Sequence, residues 1–162
     1  DLLDGEPYRI SGEIKDDGGN QIGNFFLYEL DNDSSFWDKC DIISGDCEII
    51  ASTVCGERGK ILKKYIPTVS EFETVLVLDK IEINKNFRGN GIGSSVIRKL
   101  LYMMNYQFDS CKAIFLCASD YESADKYGFD SEEYREGTKK LVEFYKKLGF
   151  KVVKNNVMVY FE

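Results

Sequence analysis

The stretch Asn86-Phe87-Arg88-Gly89-Asn90-Gly91-Ile92-Gly93-Ser94-Ser95 decides how this chain is read. It follows a strand-forming run from Val75 to Ile83 and opens a segment with helical periodicity, so its three glycines and its arginine fall at a helix N-terminus. Backbone N–H groups at such a place have no intrahelical partner, and the positive end of the helix dipole adds to their pull on an anion. Glycines let a ligand approach the main chain closely. The segment is suited to a phosphate.

Three phosphate ligands compete. A Walker-type loop requires Gly-x-x-x-x-Gly-Lys-Ser/Thr, and no such lysine follows these glycines. A dinucleotide fingerprint requires a third glycine where Ser94 stands and an acid at the end of the next strand, whereas Asp109 precedes that strand. The third pattern, Arg/Gln-x-x-Gly-x-Gly/Ala after a strand, is matched by Arg88, Gly91 and Gly93. It resembles the GNAT superfamily of N-acetyltransferases. The resemblance implies that Arg88, Gly89, Asn90, Gly91, Ile92, Gly93 and Ser94 cradle the pyrophosphate of acetyl-CoA; the alternative is a glycine-rich turn that binds nothing.

Outward from this loop, Val75-Leu76-Val77-Leu78 has the two-sided apolar character of a central strand and continues through Ile81 and Ile83. Ile92, Val96, Leu100 and Met103 or Met104 mark the core face of the following helix, and Ala113 to Ala118 forms another buried strand. Leu141, Phe144, Tyr145 and Leu148 line a further helix that Gly149 ends. Val152-Val153 and Val157 to Phe161 close the chain as strands around Asn155-Asn156. Upstream, strands at Tyr8–Lys15 and Gln21–Asp31 flank the turn Asp16-Asp17-Gly18-Gly19-Asn20. Phe36, Cys40, Ile43, Cys47, Ile50 and Val54 then give one helical face that Ser44-Gly45 breaks or kinks, and residues 57–71 predict no element.

A second motif strengthens the resemblance. Glu143-Phe144-Tyr145-Lys146-Lys147-Leu148-Gly149-Phe150 is similar to the superfamily's helix ending in Tyr-x-x-Leu-Gly-Phe, and the two motifs occur in the right order with a strand between them. The likeness covers Thr74 to Glu162. It implies a single α/β domain over 1–162, α+β by its antiparallel content, with a GNAT-like mixed, mostly antiparallel central sheet flanked by helices.

Composition narrows the chemistry. The chain has 162 residues, enough for one domain with a substantial core, and 43% hydrophobic residues with two prolines argue against disorder. A formal charge of −7 argues against nucleic acid and favours neutral or cationic partners. No apolar run is long enough to span a membrane. Five cysteines without Cys-x-x-Cys spacing fit a reduced, cytoplasmic protein, and Cys117 is read as core rather than nucleophile. There is no histidine, which removes Ser-His-Asp, Cys-His and His-zinc systems, and no metal is expected.

Acetyl transfer to an amine requires a base, because an amine of pKa about 10.4 must lose a proton before it attacks. It also requires donors for the thioester oxygen and an acid for the departing thiolate. Asp79 is the candidate base: in simple alternation it shares a side with Val75, Val77, Ile81 and Ile83, so a carboxylate interrupts an apolar file. Lys80, Lys112 or a turn backbone would be its partner if it were structural. Glu82, nearer the phosphate loop, is the second candidate. The resemblance places Tyr145 beside the coenzyme sulfur as acid, and gives the main chain at Ile81 and Ile83 the polarising and pantetheine contacts, where a bulge at Asp79-Lys80 would splay the strand from its parallel neighbour.

One stretch departs from the superfamily pattern. Ser119 to Glu136 holds seven acids against Lys126 and Arg135, and is either a solvated insertion or a wall that draws a cationic amine. The expected acceptor is a small-molecule or peptide amine. Oligomeric state is open, with a homodimer allowed. The rival reading is a non-catalytic acyl-CoA-binding sensor or interaction module on the same fold.

Overall fold

A computed structural model describes residues 6–66, 73–107 and 111–161. Asp109 and the side chain of Lys112 lie outside the described residues, as does part of the 57–71 connection. Strands β1 (Tyr8–Lys15) and β2 (Gln21–Asp31) form the expected hairpin. Its turn is held by Asp16, whose carboxylate accepts the Asn20 N–H at 2.9 Å, and Gly19 takes the left-handed φ of 82° that the reversal needs.

Helices α1 (Phe36–Ile43) and α2 (Gly45–Val54) share the single apolar face read from the sequence, and the break falls at Ser44, whose backbone is extended. Then follow β3 (Thr74–Ile83), a 3-10 turn (Lys85–Phe87), α3 (Ile92–Gln107) and β4 (Cys111–Cys117). The acidic stretch folds as helix α4 (Tyr121–Tyr127) and the start of α5 (Glu132–Lys147). Two caps explain this: Asp120 accepts the Ser123 N–H and Ser131 accepts the Tyr134 N–H, each at 3.1 Å. Acids in the first turn of α5 and Lys146 and Lys147 in its last suit the helix dipole, and Gly149, at φ 98°, ends it. Strands β5 (Lys151–Lys154) and β6 (Val157–Phe161) finish the chain.

The six strands form one sheet in the order β1-β2-β3-β4-β6-β5. Among the described pairs β3 and β4 run parallel and the rest antiparallel. Helices cover both faces. Phe36, Cys40, Cys47, Ile50 and Val54 pack on Leu30, Val75, Val77, Phe115 and Val159, while Ile97, Leu100, Met104 and Tyr145 pack on Leu27, Leu76, Leu78, Ile114 and Met158. Each fully buried large apolar side chain contributes about 1.5–3 kcal/mol, so this two-sided core is the main source of stability.

The bulge expected at Asp79-Lys80 is present, and the simple alternation read along β3 therefore does not hold beyond it. The β2–β3 register pairs Phe26 with Lys80 and Leu27 with Leu78, so Asp79 is an extra residue in a bulge. Before it, Val75 and Val77 face α1 and α2; beyond it, Ile81 packs in the α3–α5 cluster. One inserted residue reverses a period of two, so Asp79 keeps the side of Val75 and Val77 but parts from Ile81.

Candidate functional site

The bulge coincides with a second event. Parallel pairing between β3 and β4 ends at Leu78 and Leu116, so the last turns of β3 pair with β2 alone. Asn84 donates its N–H to the Ile22 carbonyl at 2.8 Å, and antiparallel alternation then aims the main-chain groups of Ile81 and Ile83 away from β2, into the gap beside β4. The Ile83 carbonyl there accepts from Arg88 Nε at 2.7 Å.

The glycine-rich loop sits at the end of this edge. Gly89 and Gly91 adopt φ of 81° and 77°, which glycine tolerates without strain, and a β-carbon on either would meet no described atom within 4 Å. The first α3 amide with an intrahelical acceptor is that of Ser95, bonded to the Gly91 carbonyl, so the N–H groups of Ile92, Gly93 and Ser94 are unpartnered among the described residues. Arg88 also donates to Glu122 at 2.7 Å, and Lys85 reaches the same carboxylate at 2.6 Å. These two bonds hold the Glu122 carboxyl down at about 2.

The sheet order and its flanking helices match a known architecture. The NAA60 protein of Arabidopsis thaliana in complex with a bisubstrate analogue superposes over 94% of this chain and 75% of its own, with a TM-score of 0.50 and 13% identity. The chain has the GNAT fold. An acetyltransferase from Bacillus cereus aligns over 96% of this chain and 71% of its own, at a TM-score of 0.44 and 13% identity. No protein-family model matches the sequence, and no curated protein matches it by sequence.

Within the GNAT fold the helix carrying Tyr145 packs against the glycine loop: a β-carbon on Gly93 would lie 3.5 Å from both Ile83 Cδ1 and Phe144 Cζ. The Tyr145 ring is buried, edge-on to Phe144 at 5.1 Å and Phe150 at 5.5 Å, and its hydroxyl has no hydrogen-bond partner among the described residues. Burial alone pushes its pKa up to about 12, so the phenol stays protonated.

Asp79, half-buried on the opposite face, does not pair with Lys80. Its Oδ1 accepts from Ser44 Oγ at 2.5 Å and from Cys47 Sγ at 3.5 Å, both at the N-terminus of α2. Lys80 instead pairs with Glu82 at 3.2 Å on the exposed rim, and Glu82 is thereby set apart from Asp79. Cys117 is a free thiol that burial pushes up to about 12, which leaves it un-ionised.

The sequence reading missed a polar cluster beside Asp79. Tyr121, at the start of α4, donates to the Asp46 carboxylate in α2. Burial raises the Asp46 pKa first, the Tyr121 bond opposes this, and the Asp79 charge adds to it. Ser119 Oγ lies 3.4 Å from the Tyr134 hydroxyl and accepts from Asn156 Nδ2 at 2.9 Å, while Phe129 stands edge-on to Tyr121 at 6.1 Å and Tyr134 at 5.3 Å. Asp46 and Asp79 belong with α2 and Tyr145 with the α3–α5 face of the sheet, while α4 reaches the glycine loop through Glu122. No spacing rule links Asp46 to a tyrosine 75 residues away. Among the described residues no cluster is suited to hold a metal, and no helix is long and apolar enough to cross a membrane.

Proposed function

We propose that the chain is an acetyl-CoA-dependent N-acetyltransferase acting on a primary amine through a direct ternary complex, in a cytoplasmic setting. The observation that carries this reading is the placement of a carboxylate, Asp79, on the bulge where β3 leaves β4, beside an open main-chain edge that runs into the glycine loop. Acetyl-CoA, when bound, supplies an activated acyl group. Arg88 to Ser94 fit its pyrophosphate, because two left-handed glycines bring the backbone close and three amides at the α3 terminus lack partners. Ile81 and Ile83 offer main-chain groups along the gap to the pantetheine arm.

Asp79 takes a proton from the acceptor ammonium, directly or through water, so the nitrogen lone pair can attack the acyl carbon. The Ile81 N–H, left without a partner strand beyond the bulge, would favour charge on the thioester oxygen. As the C–S bond breaks, Tyr145 would give its hydroxyl proton to the sulfur, and the second proton of the attacking nitrogen would leave through water to restore the phenol. A phenol raised to about 12 is a weak acid, but a thiolate forming in the same apolar surroundings is raised by the same desolvation, which narrows the gap between the two. Asp79 lies on the α1–α2 face of the sheet and Tyr145 on the α3–α5 face. Glu82 is the second candidate base.

A cationic small-molecule or peptide acceptor is supported by Asp46 and Asp79 on the acceptor side and by the faces of Tyr121, Phe129 and Tyr134 beside them. The deciding experiment is thiol release from acetyl-CoA with polyamine, lysine and N-terminal peptide acceptors, alongside calorimetric titration of acetyl-CoA. Amine-dependent release of one thiol per acetylated product is the expected result. Binding without release by any amine would favour the sensor reading, and failure to bind would remove the coenzyme altogether.

A further inference from the structure

Ser44, at the break between α1 and α2, has a hydroxyl that serves two partners. It accepts the Cys47 N–H at 3.2 Å as N-cap of α2, and it donates to Asp79 Oδ1 at 2.5 Å. A hydroxyl carries one hydrogen and two lone pairs, so the capping bond uses a lone pair and leaves the proton for the carboxylate. Cys47 Sγ, in the first turn of α2, approaches the same oxygen at 3.5 Å. Both contacts engage Oδ1, and Asp79 makes no further hydrogen bond among the described residues, which leaves Oδ2 open.

A side chain on a bulge is not fixed by cross-strand neighbours in the way that a paired strand residue is. Asp79 therefore needs an anchor from elsewhere, and the α2 terminus supplies it. We propose that Ser44 is a positioning residue: its hydroxyl holds Asp79 Oδ1 against the start of α2, so that Oδ2 is the oxygen presented to the acceptor amine. This rests on the reading of Asp79 as the base.

The titratable groups coupled to Asp79 are Asp46 and Cys47 from α2 and Tyr28 from β2, while Lys80 and Glu82 pair with each other on its own strand. Burial raises both Cys47 and Tyr28, so they stay neutral across the acidic range. Asp46 is the neighbouring carboxylate, and its resonance must be assigned separately.

Carbon-13 NMR of the side-chain carboxyls, assigned with Asp79→Asn and Asp46→Asn, tests the proposal on the folded chain without any reaction. Glycine at an N-cap costs only a few tenths of a kcal/mol relative to serine, so Ser44→Gly removes the donor while nearly sparing the helix. Ser44→Ala is a second donor-less variant, and Ser44→Thr keeps the hydroxyl. Loss of the donor should release the Asp79 side chain, read as averaged χ1 couplings and a displaced carboxyl carbon resonance at neutral pH, and threonine should restore both. An unchanged resonance and a fixed χ1 in folded Ser44→Gly and Ser44→Ala would show that Ser44 is a helix cap alone and overturn the proposal. With the anchor lost, kcat should fall several-fold while acetyl-CoA affinity stays near wild type. If Ser44→Gly frees the side chain but leaves kcat unchanged, the Ser44 anchor stands and the assignment of Asp79 as base falls.

Discussion

Phe144 Cζ reaches to 3.5 Å from the point where a β-carbon on Gly93 would stand, so the start of α3 and the helix that carries Tyr145 touch. The glycine loop and the candidate acid are thereby one packed unit, although the contact joins residues in separate motifs. Truncating Phe144→Ala opens a gap at this seam, and should cost roughly 1–3 kcal/mol and lower turnover as Tyr145 loosens. Chemical denaturation and kcat measured on the same preparation check it, with turnover unchanged in a destabilised variant counting against the coupling.

Tyr145→Phe should lower kcat by about ten-fold or more while leaving acetyl-CoA affinity and melting temperature near wild type, since the hydroxyl has no partner to lose among the described residues. A pH titration gives an independent check. The folded-state pKa is raised from 10.0 to about 12, so the native state holds this proton more tightly than the unfolded chain. The associated stability is complete below pH 10 and is lost as pH rises toward 12. Wild type should therefore lose more stability than Tyr145→Phe across that window in alkaline melting experiments.

At the loop, Gly91→Val forces a β-branched residue into φ of 77°, where the surrounding protein is open and the penalty comes from the backbone itself, about 1–3 kcal/mol. Relief of that strain would move the amides that face the pyrophosphate. Arg88→Ala loses a charged contact but leaves the loop path intact. Calorimetry should show weaker acetyl-CoA binding for both, and a larger loss for Gly91→Val; equal binding by all three proteins would overturn the loop assignment.

Glu122 occupies the cationic pair at the loop, bonded to Arg88 and Lys85 at 2.7 and 2.6 Å. A pyrophosphate drawn to the same cations has to compete with it. Glu122→Gln should tighten acetyl-CoA binding by roughly two- to five-fold at low ionic strength, with the advantage shrinking as salt screens the exposed charges. Weaker binding in the variant would mean instead that Glu122 orients Arg88 for the ligand.

Neutralising Glu132, Glu133 and Glu136 tests whether the acidic face at the start of α5 draws the acceptor. The expected result is a higher KM for a cationic amine at low salt, with kcat little changed and wild type losing its advantage as salt is added. Glu132 and Glu133 also complement the α5 dipole, so melting curves must accompany the kinetics. Equal KM at low salt would leave these acids a structural part only.

What the sequence determined by itself was what local physics controls. The period of Phe36 to Val54 and its break at Ser44, the Asp16–Asn20 turn, the glycine loop before α3 and the end of α5 at Gly149 all follow from residues close in the chain. The mixed, mostly antiparallel sheet was implied by the GNAT resemblance. Tertiary structure alone decided what depends on partners far apart. A bulge at Asp79-Lys80 was expected from the GNAT resemblance, but its consequence was not: the extra residue reversed the sides read for Ile81 and Ile83, because side-chain alternation carries no memory across a bulge. The Asp79 anchor is a serine 35 residues upstream rather than a neighbouring lysine, and Arg88 meets a carboxylate 34 residues downstream. Hydrogen bonds of this kind are set by where whole helices settle on the sheet, and apolar burial over the entire core, not the spacing of polar residues, fixes that docking.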